Sequence, residues 1–163
     1  MRLLLLLLLL WLPFSLSAQT ITGRWTTIDD ETGKKRSVVE ITERGGKVYG
    51  RIVQLFREPG EEQDPTCTKC ATDDDRYNKK VIGLEIIRDM VQDGEAWNDG
   101  TILDPKNGSV YDCKLWIEDG KLKVRGYVAF FFRTQTWVRE ASMQWIPGVR
   151  DRTLYFARPT PPP

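Results

Sequence analysis

The stretch DPTCTKC, residues 64–70, contains the side chains best suited to chemistry, because two residues separate Cys67 from Cys70. Cysteines at this spacing form a redox pair, supply half of a zinc site, or brace a loop through a disulfide. Cys113 is the third cysteine in the chain. The surroundings of the pair decide which chemistry applies.

Those surroundings disfavour catalysis and metal binding. A reactive pair needs a helix N-terminus or nearby cations, whereas Cys67 follows Asp64-Pro65 in a loop and the acidic run 73–75 lies just downstream, which disfavours thiolate. The chain has no histidine, so zinc would depend on cysteines and carboxylates, and run 73–75 lacks the ligand spacing of known calcium loops. We predict no catalytic residue, no metal site and no cofactor.

The first 18 residues predict a secretory signal peptide: Arg2, a leucine run from Leu3 to Leu10, and small residues before cleavage near Ser17/Ala18. The apolar run is shorter than the about 20 residues that span a bilayer, and no later segment reaches that length. We therefore predict a periplasmic or secreted protein without a membrane span.

An oxidising compartment favours a disulfide, and three cysteines leave one unpaired. A Cys67–Cys70 bridge with Cys113 as a small buried thiol is the preferred arrangement. Pairing of either loop cysteine with Cys113 is the alternative, and it would fasten the loop to the rest of the fold. In both arrangements DPTCTKC acts as a brace.

Charge gives no sign of a polyanionic partner. Without Arg2 the chain carries 23 basic residues against 23 acidic ones. Nucleic acids and anionic membranes attract proteins through clustered basic residues. We therefore predict no nucleic-acid partner and no attraction to an anionic membrane.

The elements that position the cysteines are short β-strands. Alternating runs separated by turn residues predict an antiparallel meander, and two pairs, Asn107-Gly108 and Asp119-Gly120, predict two-residue hairpin turns. VIGLEIIRDMVQD mixes strand and helix periodicity, and its β-branched residues favour a strand. Eight or more strands in one domain, residues 19–157, predict an all-β, antiparallel up-and-down barrel, because closure removes exposed edges. Residues 57–79 form a loop excursion, and residues 158–163 a proline-rich tail.

Period-two alternation assigns side chains to the barrel interior. It places Tyr111 and Cys113 on the apolar face of one strand, and it places Leu122, Val124, Gly126, Val128 and Phe130 on that of the next. The run AFFF breaks the alternation, so at least one of Phe130, Phe131 and Phe132 must point outward or line an opening.

The spaced segments GRWTTIDDETGKKRSVVEI, GKVYGRIVQL, DPTCTKC, VIGLEIIRDM and GTILDPKNGSVYDCKLWIEDGKLKVRGYVAFFFRTQTWVR resemble the bacterial exported family called domain of unknown function number 2147, from about Gly23 to Arg139. The resemblance implies a calycin-like barrel, similar to lipocalins and fatty-acid-binding proteins, and no activity. Gly23-Arg24-Trp25 is similar to the lipocalin pattern in which an indole closes the barrel floor beneath a late arginine, here Arg133 or Arg139. The sequence departs from the family after Arg139, where residues 153–157 form one more strand-like run.

By analogy of fold, we expect a small apolar or amphipathic molecule to bind inside the barrel, with Tyr111, Leu122, Val124, Val128 and Phe130 as wall residues. A second interpretation is a solid barrel that docks an envelope protein through its aromatic rim. It requires the absence of a ligand-sized cavity and the exposure of Phe131 or Phe132. A thiol enzyme or metal protein is a third, weaker interpretation.

Overall fold

The computed structural model describes residues 20–140 of the 163-residue chain. This part contains eight β-strands: β1 (Gly23–Ile28), β2 (Lys35–Arg44), β3 (Lys47–Leu55), β4 (Glu85–Asp93), β5 (Ala96–Asp104), β6 (Ser109–Glu118), β7 (Lys121–Val128) and β8 (Phe131–Arg139). Within the same range, no helix is long and apolar enough to cross a membrane. The predicted signal peptide, the run at 153–157 and the proline-rich tail lie outside the described residues.

Each strand pairs antiparallel with its neighbours in sequence, and β1 pairs with β8. Closure is made by Trp25 opposite Arg139 and Thr27 opposite Trp137. The predicted all-β, up-and-down barrel is therefore confirmed. Because successive strands alternate in direction, the β1–β2, β3–β4, β5–β6 and β7–β8 connections all lie at one end, which we call the mouth, and the opposite end is the floor.

The turns confirm one hairpin prediction and correct another. Asp119 and Gly120 both have positive φ, 51° and 70°, between the paired residues Glu118 and Lys121. The Asn107-Gly108 prediction was wrong, since a four-residue connection, 105–108, joins β5 to β6 and only Gly108 has positive φ. Pro105 has no N–H to continue a ladder, so the turn begins there.

The mixed periodicity of β4 results from β-bulges. Asp89 on β4 and Asp99 on β5 both have positive φ, about 60°. A bulge inserts one extra residue and thereby changes which residues face inward. Ile87 and Met90, three apart, are consequently both fully buried. The prediction of a strand here is confirmed.

The long β3–β4 connection, residues 56–84, packs onto the mouth end of the barrel. Cys67, Cys70, Val81 and Leu84 are buried within the main hydrophobic cluster. Gly108 fits tightly against this segment, because a Cβ at Gly108 would lie 1.8 Å from the carbonyl oxygen of Lys69. The excursion is therefore a packed part of the fold.

Candidate functional site

An open cavity of about 740 Å³ occupies the mouth half of the barrel. Pockets that bind small molecules have volumes of about 300–1,000 Å³. Inward side chains from β1, β2, β3, β4, β5, β6, β7 and β8 line the inner part: Thr27, Ser37, Ile52, Ile86, Ile102, Tyr111, Val124, Gln135 and Trp137. Every strand of the barrel contributes to this wall.

Side chains toward the floor fill the barrel interior, whereas the mouth half is hollow. Trp25, Leu115 and Leu122 are fully buried and line no part of the cavity. In the cavity wall, a Cβ at Gly126 would be 3.7 Å from Tyr111 Cβ and 3.8 Å from Ile102 Cγ2, which are ordinary contact distances. Packing density therefore changes along the barrel axis.

The polar groups of the inner wall mostly bond with one another. Thr27 and Ser37 join hydroxyl to hydroxyl at 2.8 Å, and the Ser37 N–H donates to Thr27 Oγ1 at 3.0 Å. Trp137 Nε1–H donates to Gln135 Oε1 at 3.1 Å. Tyr111 Oη accepts a hydrogen bond from Asn107 Nδ2 at 3.1 Å. The other inner-wall side chains, Ile52, Ile86, Ile102 and Val124, are apolar, so this part suits an apolar molecule.

The rim of the cavity is charged. Asp29 accepts hydrogen bonds from the Thr32 backbone and hydroxyl and from Arg36 Nε, and these donors hold the pKa of its carboxyl well below the usual value. Arg57 and Lys106 also line the cavity. The rim therefore places charged side chains above an apolar interior.

The floor is closed by the first and last strands. The guanidinium carbon of Arg139 lies 4.1 Å from the Trp25 ring centroid, and Nη1 donates to the Thr22 carbonyl at 3.0 Å. Trp25 Nε1–H donates to the Ile21 carbonyl at 2.8 Å. Gly23 has φ 117°, a backbone conformation that other residues rarely adopt, and a Cβ there would lie 3.1 Å from Arg139 Nη1.

Of the two candidate arginines, Arg139 covers the indole. Arg133 lies at the opposite end of β8, where it lines the cavity mouth and pairs with Asp30 at 3.1 Å. Gly23 and Trp25 lie at the floor, as the lipocalin-like pattern implied. Arg133 does not cover the indole, because β8 crosses the whole barrel between Arg133 and Arg139.

The predicted wall residues separate along the barrel axis. Tyr111 and Val124 line the inner cavity, and Val128 lines its outer edge with half its surface exposed. Leu122 is fully buried opposite Trp137 and does not line the cavity. Phe130 was wrongly assigned to the wall: β7 ends at Val128, so Phe130 lies in the β7–β8 turn with 97% of its surface exposed.

Sequence reasoning missed the opposite side of the wall, which includes Thr27, Ser37, Ile52 and Ile102. The same period-two alternation on β1, β2, β3 and β5 contained that signal. Extending it to the mouth-proximal ends of those strands would have found these residues. The rim arginines, Arg36, Arg57 and Arg133, could not be predicted from strand alternation, because they lie in or beside irregular segments.

The cysteines adopt the preferred arrangement. Cys67 and Cys70 form a disulfide, and Cys113 is a buried free thiol whose pKa is raised to about 12 by burial. The braced segment contributes Pro65 and Thr66 to the cavity wall. Within residues 20–140, no three of the His, Cys, Asp and Glu side chains are grouped to hold a metal ion.

Comparisons with known proteins agree with this architecture. A family described as "Uncharacterized protein conserved in bacteria (DUF2147)" matches residues 23–139. No curated protein matches the chain. A solved structure from the human pathogen Helicobacter pylori, protein HP1028, described as belonging to the lipocalin family, is 17% identical, with a TM-score of 0.63 over 75% of this chain and 84% of that one. At this identity the likeness concerns the fold.

Proposed function

This chain belongs to the bacterial family DUF2147, and from that premise we propose that it binds a small amphipathic molecule in the open end of its barrel. The observation that carries the proposal is the cavity of about 740 Å³, apolar inside and charged at the rim. The apolar portion of the ligand would lie between Tyr111, Val124 and Ile102. A polar head group would lie at the rim, within reach of Arg57.

The charged rim supports a ligand with a polar end. Arg57 and Lys106 line the cavity above its apolar interior. An anionic or strongly accepting head group would therefore add charge-assisted hydrogen bonds to the apolar burial.

The leader sequence supports a location outside the cytoplasm. We place the mature protein in the periplasm or the extracellular medium because its first 18 residues match a cleavable signal peptide. A disulfide at Cys67 and Cys70 is compatible with an oxidising compartment. Cell fractionation of the native host, with detection of the processed chain, tests this location.

Native mass spectrometry of the mature protein, purified gently from its own host, tests occupancy of the cavity. We expect a non-covalent adduct that is absent from the denaturing spectrum of the same sample. A bare chain in the native spectrum, from several growth conditions, together with failure of the binding test below, would refute the proposal.

A cavity-filling variant tests the location of binding. Gly126→Leu directs a large side chain into the cavity, and 1-anilinonaphthalene-8-sulfonate, an apolar ring system with one anionic group, is the probe. We expect at least a tenfold weaker affinity than that of the wild type. Val138→Leu, on the outer surface of β8, is the matched control and should bind normally. Equal affinities of the Gly126→Leu and Val138→Leu variants would contradict binding in the barrel.

The alternative of a solid barrel is weakened by the same cavity, because it required that no ligand-sized space exist. Its second requirement, an exposed aromatic rim, is met by Phe131 and Phe132. A surface role for those aromatic residues is compatible with ligand binding.

A further inference from the structure

An unusual apolar surface protrudes from the mouth at the β7–β8 turn. We call it the aromatic tip and define it by five residues: Tyr127, Val128, Phe130, Phe131 and Phe132. The three phenylalanines are 97%, 78% and 60% exposed, in chain order. Exposed apolar side chains are common singly, whereas a contiguous group of this kind marks an interaction site.

The turn presents these side chains away from the barrel. Val128 pairs with Phe131, so only Ala129 and Phe130 form the bend, and Ala129 has φ 50°, a left-handed conformation that is unfavourable for alanine. Tyr127 and Phe132 pair across the strands with ring centroids 6.4 Å apart. The tip is therefore convex, with Phe130 as its outermost residue.

The charged residues of the hairpin that lie nearest the tip are two arginines. Arg125 and Arg133 lie in the mouth half of the β7–β8 hairpin, whereas its other basic residues, Lys121, Lys123 and Arg139, lie toward the floor. The Arg125 guanidinium carbon lies 4.2 Å from the Phe132 ring centroid, and Arg133 follows Phe132 directly in the chain. Arg133 pairs with Asp30 across the mouth. Two cations thus lie immediately behind the apolar rings, although the net charge of the whole chain is only +1.

The size of the tip favours a lipid surface over a protein. A stable protein interface involves about 20–30 residues on each side, and the aromatic tip supplies five. Aromatic side chains with cations just behind them suit the bilayer interface, where rings lie at head-group depth and basic residues contact anionic lipids.

We propose that the aromatic tip inserts into the surface of a membrane that contains anionic phospholipid and holds the cavity mouth against it. Val128 belongs to both the tip and the cavity edge, so the opening lies beside the point of insertion. Docking of the tip does not depend on the proposed ligand. Docking would let an amphipathic ligand exchange between the bilayer and the cavity, and this consequence rests on the proposed function.

Vesicle flotation of the mature chain tests docking. We expect flotation with vesicles of phosphatidylcholine and phosphatidylglycerol at a ratio of 3:1, at least fivefold less with phosphatidylcholine alone, and release by high salt. Phe130→Ser/Phe132→Ser should reduce flotation at least fivefold, and Arg125→Gln should weaken it mainly at low salt. Ile82→Ser/Val138→Ser, which removes two partly exposed apolar residues outside the tip, is the control and should float normally.

Three results would overturn the proposal: no flotation of the wild type, equal flotation of the tip variant, or a concentration-dependent dimer that only the tip variant abolishes. The last result would assign the tip to a second copy of the chain. Binding of 1-anilinonaphthalene-8-sulfonate in the absence of vesicles should be unchanged in the tip variant. Docking and cavity binding can therefore fail independently.

Discussion

Arg139 covers the Trp25 indole at 4.1 Å and joins the last strand of the barrel to the segment before the first. Its guanidinium stacks on the ring and donates to the carbonyl groups of Thr20 and Thr22. One side chain therefore closes the floor and fastens the two ends of the sheet together.

Loss of this side chain should destabilise the barrel. We expect Arg139→Ala to lower the free energy of unfolding by about 1–2 kcal/mol, since a cation–π contact and charge-assisted hydrogen bonds are lost. Arg133→Ala is the control at the other end of β8, where an exposed ion pair with Asp30 contributes at most about 1 kcal/mol. Urea denaturation measures both variants. A larger loss for Arg133→Ala would contradict the assigned roles.

Filling the cavity should leave the fold intact. Gly126→Leu should keep the free energy of unfolding unchanged or raise it by up to about 1 kcal/mol. Glycine in a strand interior is unfavourable, the added Cβ would make ordinary contacts, and the rest of the side chain would enter the cavity. Thermal unfolding provides the measurement. A markedly lower melting temperature would mean that the mouth half is packed.

The buried thiol should make the protein less stable at high pH. Burial raises the pKa of Cys113 to about 12 in the folded protein from about 9 when exposed, so the folded state favours the neutral thiol. This contribution is complete below pH 9 and disappears as the pH rises toward 12. Stability measured from pH 8 to 11 should fall less steeply in Cys113→Ala. Parallel slopes in the two proteins would contradict a titrating buried Cys113.

The Asp74–Arg76 pair should contribute to stability above acidic pH. Arg76 is buried, and its hydrogen bonds lower the pKa of Asp74 to about 2. A lowered carboxylate pKa stabilises the fold above about pH 4, and this contribution is lost as the pH falls toward 2. Asp74→Asn should cost about 2 kcal/mol at pH 7, because Arg76 loses its charged acceptor.

The matched control for that pair is Asp64→Asn. Asp64 contacts Lys80 on the surface, with both side chains more than half exposed. Such pairs contribute at most about 1 kcal/mol. Equal effects of the Asp64 and Asp74 variants at neutral pH would show that the burial of Arg76 is unimportant.

The disulfide should stabilise the cavity wall. Cys67→Ala/Cys70→Ala should lower the free energy of unfolding by about 2 kcal/mol, the value expected for a very short closed loop. Reductant should reproduce the loss in the wild type and have no further effect on the double variant. Denaturation with and without reductant measures this, and an unchanged wild type in reductant would contradict a bracing role.

The sequence alone determined that the chain forms an antiparallel set of strands and which faces of β6 and β7 are apolar. Alternation in KLKVRGYV and SVYDCKLWIE predicted the faces of β7 and β6, and the resemblance placed Gly23 and Trp25 at the barrel floor. These features are local, because strand alternation and a two-residue turn each depend only on residues that follow one another in the chain. For the same reason, the Asp119-Gly120 turn was predicted correctly.

Only the tertiary structure decided how far along the barrel axis each inward side chain lies. Period two gives Leu122, Val124 and Phe130 the same face, yet the first is in the packed floor, the second in the cavity and the third outside the barrel. The hollow at Gly126 and the choice of Arg139 over Arg133 depend on residues from other strands. Depth and free volume arise from all eight strands together, and no single segment of the chain encodes them.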